Sequence, residues 1–152
     1  MKLLLFLALG AFLPVLSAAD WPQYLGPQGD AVSSEKINGN WTQKPPPVLW
    51  KAEVGKGCGS WSIVNGRALV AGNDGRNDII RCLNADTGKP IWQHQYPEKL
   101  VPNLYEGGPN TTPTVDGSKV YTLSKSGVLF CLNLADGRPI WRTHLKTDLG
   151  GK

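Results

Sequence analysis

The stretch "NADTGKPIWQH" (84–94) returns as "NLADGRPIWRT" (133–143), so that Trp92 and Trp141 lie 49 positions apart. In both copies a glycine stands four residues before the tryptophan, in a Thr-Gly or Asp-Gly pair. Such pairs favour a tight turn because glycine tolerates positive φ. A turn and a tryptophan that recur at this distance indicate the period of a structural repeat.

Each copy divides into four short runs of β-forming residues separated by glycine-containing turns. Upstream of the repeated tryptophan, "SIVNGRALV" (62–70) aligns with "PTVDGSKVY" (113–121), with Asn-Gly and Asp-Gly as the hairpin turns. The predicted strands are 62–64, 67–71, 79–83 and 90–94 in the first copy and 113–115, 119–123, 128–132 and 139–144 in the second. Four antiparallel strands in about 45–50 residues are typical of one blade of a β-propeller.

The sequence therefore predicts an all-β protein with two complete four-stranded antiparallel blades, at 58–96 and 110–146, in an incomplete propeller ring. A partial third copy, "PVLWKAEV" (47–54), has Trp50 in the apolar–Trp–basic order of the blade ends. It is predicted to form an isolated blade-closing strand. Since a propeller has at least about four blades, two blades leave apolar flanks open. We expect the chain to be the N-terminal part of a longer protein.

Two segments precede the repeats. Residues 1–19 combine a positive start, an apolar run and small residues before a cleavage point near Ala19-Asp20, the pattern of a secretory signal peptide. The apolar run is shorter than the roughly 20 residues that span a bilayer, so no transmembrane segment is expected in the mature chain. Residues 20–46 form a Pro/Gly-rich extension. The protein is therefore expected to be exported, to the periplasm or outside the cell.

The net charge and the cysteine content limit the partners that the protein can bind and the disulfides that it can form. The formal net charge is +4 and no run of like charges occurs, which argues against a nucleic-acid partner. Three cysteines allow at most one intramolecular disulfide. Cys82 and Cys131 hold the same place in the two copies and are interpreted as buried small apolar residues, with a disulfide as the alternative. The state of Cys58 is left open.

The repeat resembles the tryptophan-docking repeat of PQQ-like (quinoprotein-like) β-propellers, which reads Ala-x-Asp-x-x-Thr-Gly-x-x-x-Trp. Both copies replace Ala by Cys and Asp by Asn, and the second copy has Asp136 where Thr is usual. The opening "DWPQYLGPQGD" (20–30) also resembles the start of exported bacterial members of this family. The residues that carry the repeat are Trp50, Thr87, Gly88, Trp92, Asp136, Gly137 and Trp141.

The spacing predicts that each repeat tryptophan lies across the gap to the neighbouring blade. Burial of an aromatic side chain of this size contributes about 2–3 kcal/mol. One such contact per blade would help to fix the ring.

Few residues of the sequence are candidates for catalysis or for binding a ligand. His94 and His144 follow the repeat tryptophans and are interpreted as surface residues. The stretch "NDGRND" (73–78) is interpreted as a solvated hairpin loop, because it lacks the alternation of an EF-hand calcium site. The segment "NLYEGGPNTTP" (103–113) joins the two blades, and in quinoprotein dehydrogenases such connections surround a quinone and a Ca²⁺ ion. Glu106 and Asn110 have suitable chemistry for that role, although a structured polar loop is the default interpretation.

The resemblance implies a non-catalytic exported propeller that binds protein partners through the loops of one face and needs no cofactor. In repeat type it is similar to the propeller subunit of the outer-membrane assembly machinery. One alternative is the N-terminal part of a PQQ- and Ca²⁺-dependent alcohol or sugar dehydrogenase. Another is a propeller that binds carbohydrate or peptide.

Overall fold

The computed structural model describes residues 19–101, 103 and 105–151, and all of their regular structure is β. Eight strands form two four-stranded antiparallel sheets with strand orders β1-β2-β3-β4 and β5-β6-β7-β8. The first sheet contains β1 (Ser62–Val64), β2 (Arg67–Asn73), β3 (Asn77–Asn84) and β4 (Pro90–Pro97). The second contains β5 (Thr114–Asp116), β6 (Lys119–Leu123), β7 (Val128–Asn133) and β8 (Pro139–His144). The prediction of two antiparallel blades that do not close a ring is confirmed.

The sequence predicts a cleaved leader and no transmembrane segment in the mature chain. No helix in the part of the chain that the structure describes is long and apolar enough to cross a membrane. The predicted signal peptide lies almost entirely outside the described residues, at 1–18.

The first hairpin of the second sheet differs from the sequence alignment by one residue. In the first sheet the β1–β2 turn is Asn65-Gly66, as predicted, and both residues have positive φ. In the second sheet the turn is Gly117-Ser118 instead of Asp116-Gly117, with positive φ at the glycine. A hairpin with glycine at the first turn position fits a type II′ turn. The shift moves β5 by one residue, and such a slip turns every side chain of a strand to the opposite face.

The β2–β3 hairpin is longer than predicted. Its turn spans only residues 74–76, because the ladder continues to the pair formed by Asn73 and Asp78. Both of these side chains are buried, so the interpretation of 73–78 as a solvated loop was wrong at its two ends. The turn itself is exposed and is held by the Asp74 carboxylate, which accepts hydrogen bonds from the backbone N–H groups of Arg76 and Asn77. These bonds lower the pKa of Asp74.

The hydrophobic core lies between the two sheets and is built from facing side chains of both. Its buried members are Val64, Leu69, Ala71, Ile80, Cys82, Trp92, Tyr96, Val115, Val120, Phe130, Leu132 and Leu134. Cys82 and Cys131 are fully buried and unpaired, which confirms the interpretation of both as small apolar residues. Burial raises the pKa of the Cys82 thiol to about 11.

The chain before the first sheet forms no strand and is bonded to the sheet at a few points. Trp21 makes an antiparallel bridge with Ile63 of β1, so the start of the predicted extension lies against the first strand. Residues 47–54 contain no strand, contrary to the expected blade-closing strand, because no described residue supplies a hydrogen-bonding ladder for them. Lys56 then pairs with Asn73 at the end of β2.

Candidate functional site

The repeat tryptophans pack onto the glycine turn of the next sheet. A Cβ atom at Gly88 would lie 2.7 Å from Cδ2 of Trp50, and one at Gly137 would lie 2.7 Å from Cδ2 of Trp92. Each glycine also has positive φ. Since a side chain at either position would overlap the indole ring, glycine is required both by the turn and by the tryptophan.

A hydrogen bond fixes each docked indole. Nε1 of Trp50 donates to the Ala85 carbonyl at 2.8 Å, and Nε1 of Trp92 donates to the Leu134 carbonyl at 2.9 Å. The two acceptors follow Asn84 and Asn133, which hold the same position in each copy. The predicted contact across the gap between blades therefore has the same geometry twice, although Trp50 belongs to no strand.

The turns that receive the tryptophans are held by the asparagines that replace the usual aspartate. Oδ1 of Asn84 accepts hydrogen bonds from the backbone N–H and the hydroxyl of Thr87, each at 2.8 Å. Oδ1 of Asn133 accepts from the backbone N–H of Ala135 at 2.8 Å. Asp136 contributes in place of threonine by accepting from the N–H of Arg138 at 3.0 Å. Either amide or carboxylate oxygen can accept these bonds, which explains the substitution.

Within the described residues, no glycine turn receives Trp141. Its side chain is 42% exposed, whereas that of Trp92 is 9% exposed. Its nearest ring neighbour is Tyr121 of the same sheet, with centroids 6.0 Å apart. Among the described residues none accepts a hydrogen bond from its indole. The same motif is thus docked in one sheet and open in the other.

The opposite end of the two sheets, here called the connection end, carries the β2–β3 turn (74–76), the β4–β5 connection (98–113) and the β6–β7 turn (124–127). A buried polar group lies there. Nδ2 of Asn73 donates to Oδ1 of Asp78 at 2.8 Å and to the Glu98 carbonyl at 2.9 Å.

The Asp78 carboxylate is the titratable centre of this group. The Tyr96 hydroxyl donates to its Oδ2 at 3.3 Å. Burial of Asp78 raises its pKa, with the nearby Glu98 carboxylate acting in the same direction, while Asn73, Tyr96 and Lys125 oppose the shift. Burial likewise raises the pKa of Tyr96.

Glu98 links the two sheets. Its backbone N–H donates to the Arg76 carbonyl at 3.0 Å, which ties the connection to the first sheet. Its Oε2 accepts a hydrogen bond from the Ser126 hydroxyl at 2.6 Å, in the β6–β7 turn of the second sheet. Sequence reasoning missed this link, because Glu98 and Ser126 belong to no motif and lie 28 positions apart.

Glu106 and Asn110, the two candidate cofactor ligands, lie in the connection but are not brought into a common site. Oε2 of Glu106 accepts a hydrogen bond from the backbone N–H of Gly57 at 3.2 Å, and Asn110 is exposed. In the part of the chain that the structure describes, no group of three His, Cys, Asp or Glu side chains is placed to hold a metal ion.

The two histidines differ from each other. His94 is half-buried, with its ring centroid 4.9 Å from that of Phe130, and burial lowers its pKa. Its interpretation as a surface residue was therefore wrong. His144 is also half-buried, and its Nδ1 accepts a hydrogen bond from the N–H of Lys146 at 3.2 Å. Neither ring lies in a cluster of catalytic side chains.

Comparison with known proteins identifies relatives of the same repeat type. The sequence model of the PQQ_2 family, described as "Outer membrane protein assembly factor BamB", matches residues 76–152. A curated relative from Yersinia pestis with the same description is 31% identical over 99 residues, which cover 58% of this chain and 24% of the relative. The chain therefore spans about a quarter of the length of that relative.

Solved structures show the same fold at low identity. Quinohemoprotein alcohol dehydrogenase from Comamonas testosteroni superposes with a TM-score of 0.60 at 17% identity, covering 84% of this chain and 20% of the other. A europium-containing methanol dehydrogenase gives a TM-score of 0.53 at 21% identity, covering 69% and 20%. Both are similar in the architecture of their blades. Because the family model matches half of its residues, the chain belongs to the family of the outer membrane protein assembly factor BamB.

Proposed function

We propose that this chain is part of a non-catalytic, exported propeller that acts as a scaffold for protein partners in outer-membrane protein assembly. The observation that carries the proposal is the match of residues 76–152 to a family with that description. The relative from Yersinia pestis supports the same function at 31% identity. Export follows from the predicted signal peptide, with cleavage near Ala19-Asp20.

The connection end supports binding of a partner more than binding of a cofactor. The carboxylates of Asp78, Glu98 and Glu106 all accept hydrogen bonds from the chain's own groups. Asp78 and Glu98 lie near each other, but Glu106 bonds to the backbone of Gly57, so the three carboxylates tie different strands and turns together. Such an arrangement stabilises the loops, which is what a protein-binding surface requires.

Tyr105 is the candidate contact with the partner. Its side chain is 87% exposed, and its backbone has positive φ (52°), which is uncommon outside glycine. The connection is held by backbone contacts, including a hydrogen bond from the N–H of Cys58 to the Pro109 carbonyl at 2.9 Å. Aromatic side chains on well-held loops are frequent anchors of protein interfaces.

The function is tested in a bacterium from which the gene for the full-length protein is deleted. Folded outer-membrane β-barrel proteins are quantified by their heat-modifiable mobility on gels. We expect lower amounts after deletion, recovery with the wild-type protein and weaker recovery with Tyr105→Ala. Tyr24→Ala, which removes a 63% exposed tyrosine from the N-terminal extension, is the matched control and should restore fully.

A second measurement addresses the dehydrogenase alternative. PQQ and Ca²⁺ are added to the purified full-length protein, and the absorbance of bound quinone is recorded after desalting. We expect none to remain. Stoichiometric quinone with alcohol-dependent dye reduction, or unchanged β-barrel levels after gene deletion, would contradict the proposal.

A further inference from the structure

The opening segment, residues 20–30, is bonded to the first strand of each sheet. Trp21 exchanges two backbone hydrogen bonds with Ile63 of β1, at 2.7 and 2.9 Å. The Pro22 carbonyl then accepts a hydrogen bond from the backbone N–H of Val115 in β5 at 2.8 Å. Two adjacent residues of the opening segment therefore cross from one sheet to the other.

The two strands that receive the opening segment are the ones at which the sheets meet. The backbones of the two sheets come together along β1 and β5, and the Ser62 hydroxyl of β1 donates to the Pro113 carbonyl just before β5. Each of these strands stands first in its sheet, so one of its edges has no neighbouring strand among the described residues. The blades of a propeller surround a central channel. Sheets that radiate from a common axis lie closest together at their inner strands, so β1 and β5 are the strands that line this channel.

The opening segment is a compact loop. The Trp21 ring packs on Gly26, where a Cβ atom would lie 2.7 Å from Cη2 of the indole and where φ is +77°. The backbone N–H of Gly26 donates to the Gln23 carbonyl at 3.0 Å, and that of Ala31 donates to the Leu25 carbonyl at 2.9 Å. The indole thus holds the loop closed directly beside the two inner strands.

A third attachment fixes the start of the opening segment. Oδ1 of Asp20 accepts a hydrogen bond from the backbone N–H of Asn65 at 2.9 Å, in the β1–β2 turn. The N–H groups of Ile63 and Val115 lie on strand edges, where unpaired backbone groups invite pairing with another chain. The opening segment satisfies both of them and covers both edges.

We propose that residues 20–30 form a plug in the central channel of the complete propeller, held on the inner strands of the first two blades. The occupant of the channel is then a segment of the same chain, so a small molecule such as a quinone finds this part of the channel filled. Protein partners are bound by loops outside the channel. The inference rests on the propeller fold and not on the proposed function, and its tests do not involve outer-membrane partners.

Photo-cross-linking in the full-length protein tests where the plug lies. A photoreactive phenylalanine analogue replaces Tyr24, whose side chain is 63% exposed within the described part of the chain. We expect intramolecular cross-links to the first strands of blades beyond residue 152, because these strands line the channel opposite β1 and β5. The same analogue at Asp86, in the exposed turn between the outer strands β3 and β4, is the control and should not reach them.

Three results of this experiment would overturn the proposal. They are cross-links from position 24 that stay within residues 19–152, cross-links that join two molecules, and the absence of any cross-link.

Hydrogen exchange in the full-length protein tests the attachment to the inner strands. Trp21→Ala removes the indole that closes the loop, so we expect the N–H groups of Ile63 and Val115 to exchange about tenfold faster than in the wild type. Exchange at Cys82, in the middle of the first sheet, should not change, which shows that the blade stays folded. Trp41→Ala is the matched control, because Trp41 is 54% exposed and lies outside the opening segment. Equal exchange at Ile63 and Val115 in the Trp21 variant and the wild type would contradict the plug.

Discussion

The two sheets carry the same tryptophan motif, but only one of the two tryptophans is docked. Trp92 is 9% exposed and bonded to the Leu134 carbonyl, whereas Trp141 is 42% exposed beside Tyr121. The difference lies in the presence of a receiving glycine turn and not in the motif itself. A docking motif of this kind supplies only the tryptophan of the contact. Its contribution to stability therefore depends on whether a neighbouring sheet supplies the receiving turn.

Removal of the docked Trp92 should cause the largest loss in the free energy of unfolding. Trp92→Ala leaves a cavity between the sheets and an unpaired Leu134 carbonyl, so we expect a loss of about 3–5 kcal/mol in the free energy of unfolding. Trp141→Ala should cost less than about 1 kcal/mol. Urea unfolding measures both. Equal losses would show that docking is not what distinguishes the two residues.

The contact between Trp92 and its receiving turn can also be disrupted by a substitution in the turn. Gly137→Ala adds a Cβ that overlaps the Trp92 ring at a residue with φ of +72°, so strain and displacement should together cost about 2–4 kcal/mol. Gly117→Ala is the control, because Gly117 also has positive φ (+55°) but no atom lies within 4 Å of the added carbon. That variant should cost about 1 kcal/mol. The difference between the two melting curves measures the contact with the indole alone.

The buried polar group at the connection end predicts that the free energy of unfolding depends on pH. The expected effect is smaller than that of the substitutions above. Burial raises the pKa of Asp78 above its ordinary value of 3.8. The folded state therefore binds the proton more tightly than the unfolded state, and the unfavourable effect of the buried charge grows as the pH rises through the folded-state pKa. Asp78→Asn removes this slope while still accepting from Asn73.

The difference in unfolding free energy between Asp78→Asn and wild type isolates this group from the other carboxylates. We expect the free energy of unfolding of the variant to rise relative to that of the wild type as the pH increases from 4 to neutral, because only the wild type loses stability when the buried carboxyl ionises. Asp86→Asn, an exposed residue of the β3–β4 turn, serves as the control. A difference that does not change with pH would exclude Asp78 as the titrating group.

Thiol labelling compares the two sheets in the wild-type protein, because it requires no substitution. Cys58 is exposed, whereas Cys82 and Cys131 are buried at equivalent positions. In the folded protein we expect one thiol to react rapidly with a disulfide reagent. The other two should react only after unfolding, and at similar rates if the sheets open together. Rapid labelling of Cys131 alone would indicate that the reagent enters the second sheet from the side on which Trp141 is exposed.

Most of the sheet architecture could be predicted because its signals are local. Glycine turns and alternating apolar residues set the strands within a few residues, and the repeat placed Cys82 and Cys131 in the core. The hairpin at Gly117-Ser118 was misplaced by one residue, because either Asp116-Gly117 or Gly117-Ser118 is a good turn sequence. Register there is decided by which side chains of β5 are buried, and that depends on the neighbouring sheet.

The candidate site was less predictable for the same physical reason. Glu106 and Asn110 have the chemistry of ligands, but only the folded chain shows that Glu106 binds the backbone of Gly57. The link from Glu98 to Ser126 and the half-buried His94 carry no local signal. Contacts of this kind join segments far apart in the chain.

The period of the turn and the tryptophan specifies the fold, since hairpin geometry and the need for glycine are properties of a few adjacent residues. Which of the two tryptophans is buried depends on how the sheets pack against each other. Trp92 and Trp141 stand in nearly the same local sequence, and the contact with the Gly137 turn makes Trp92 a core residue, whereas Trp141 meets no such turn among the described residues and stays 42% exposed.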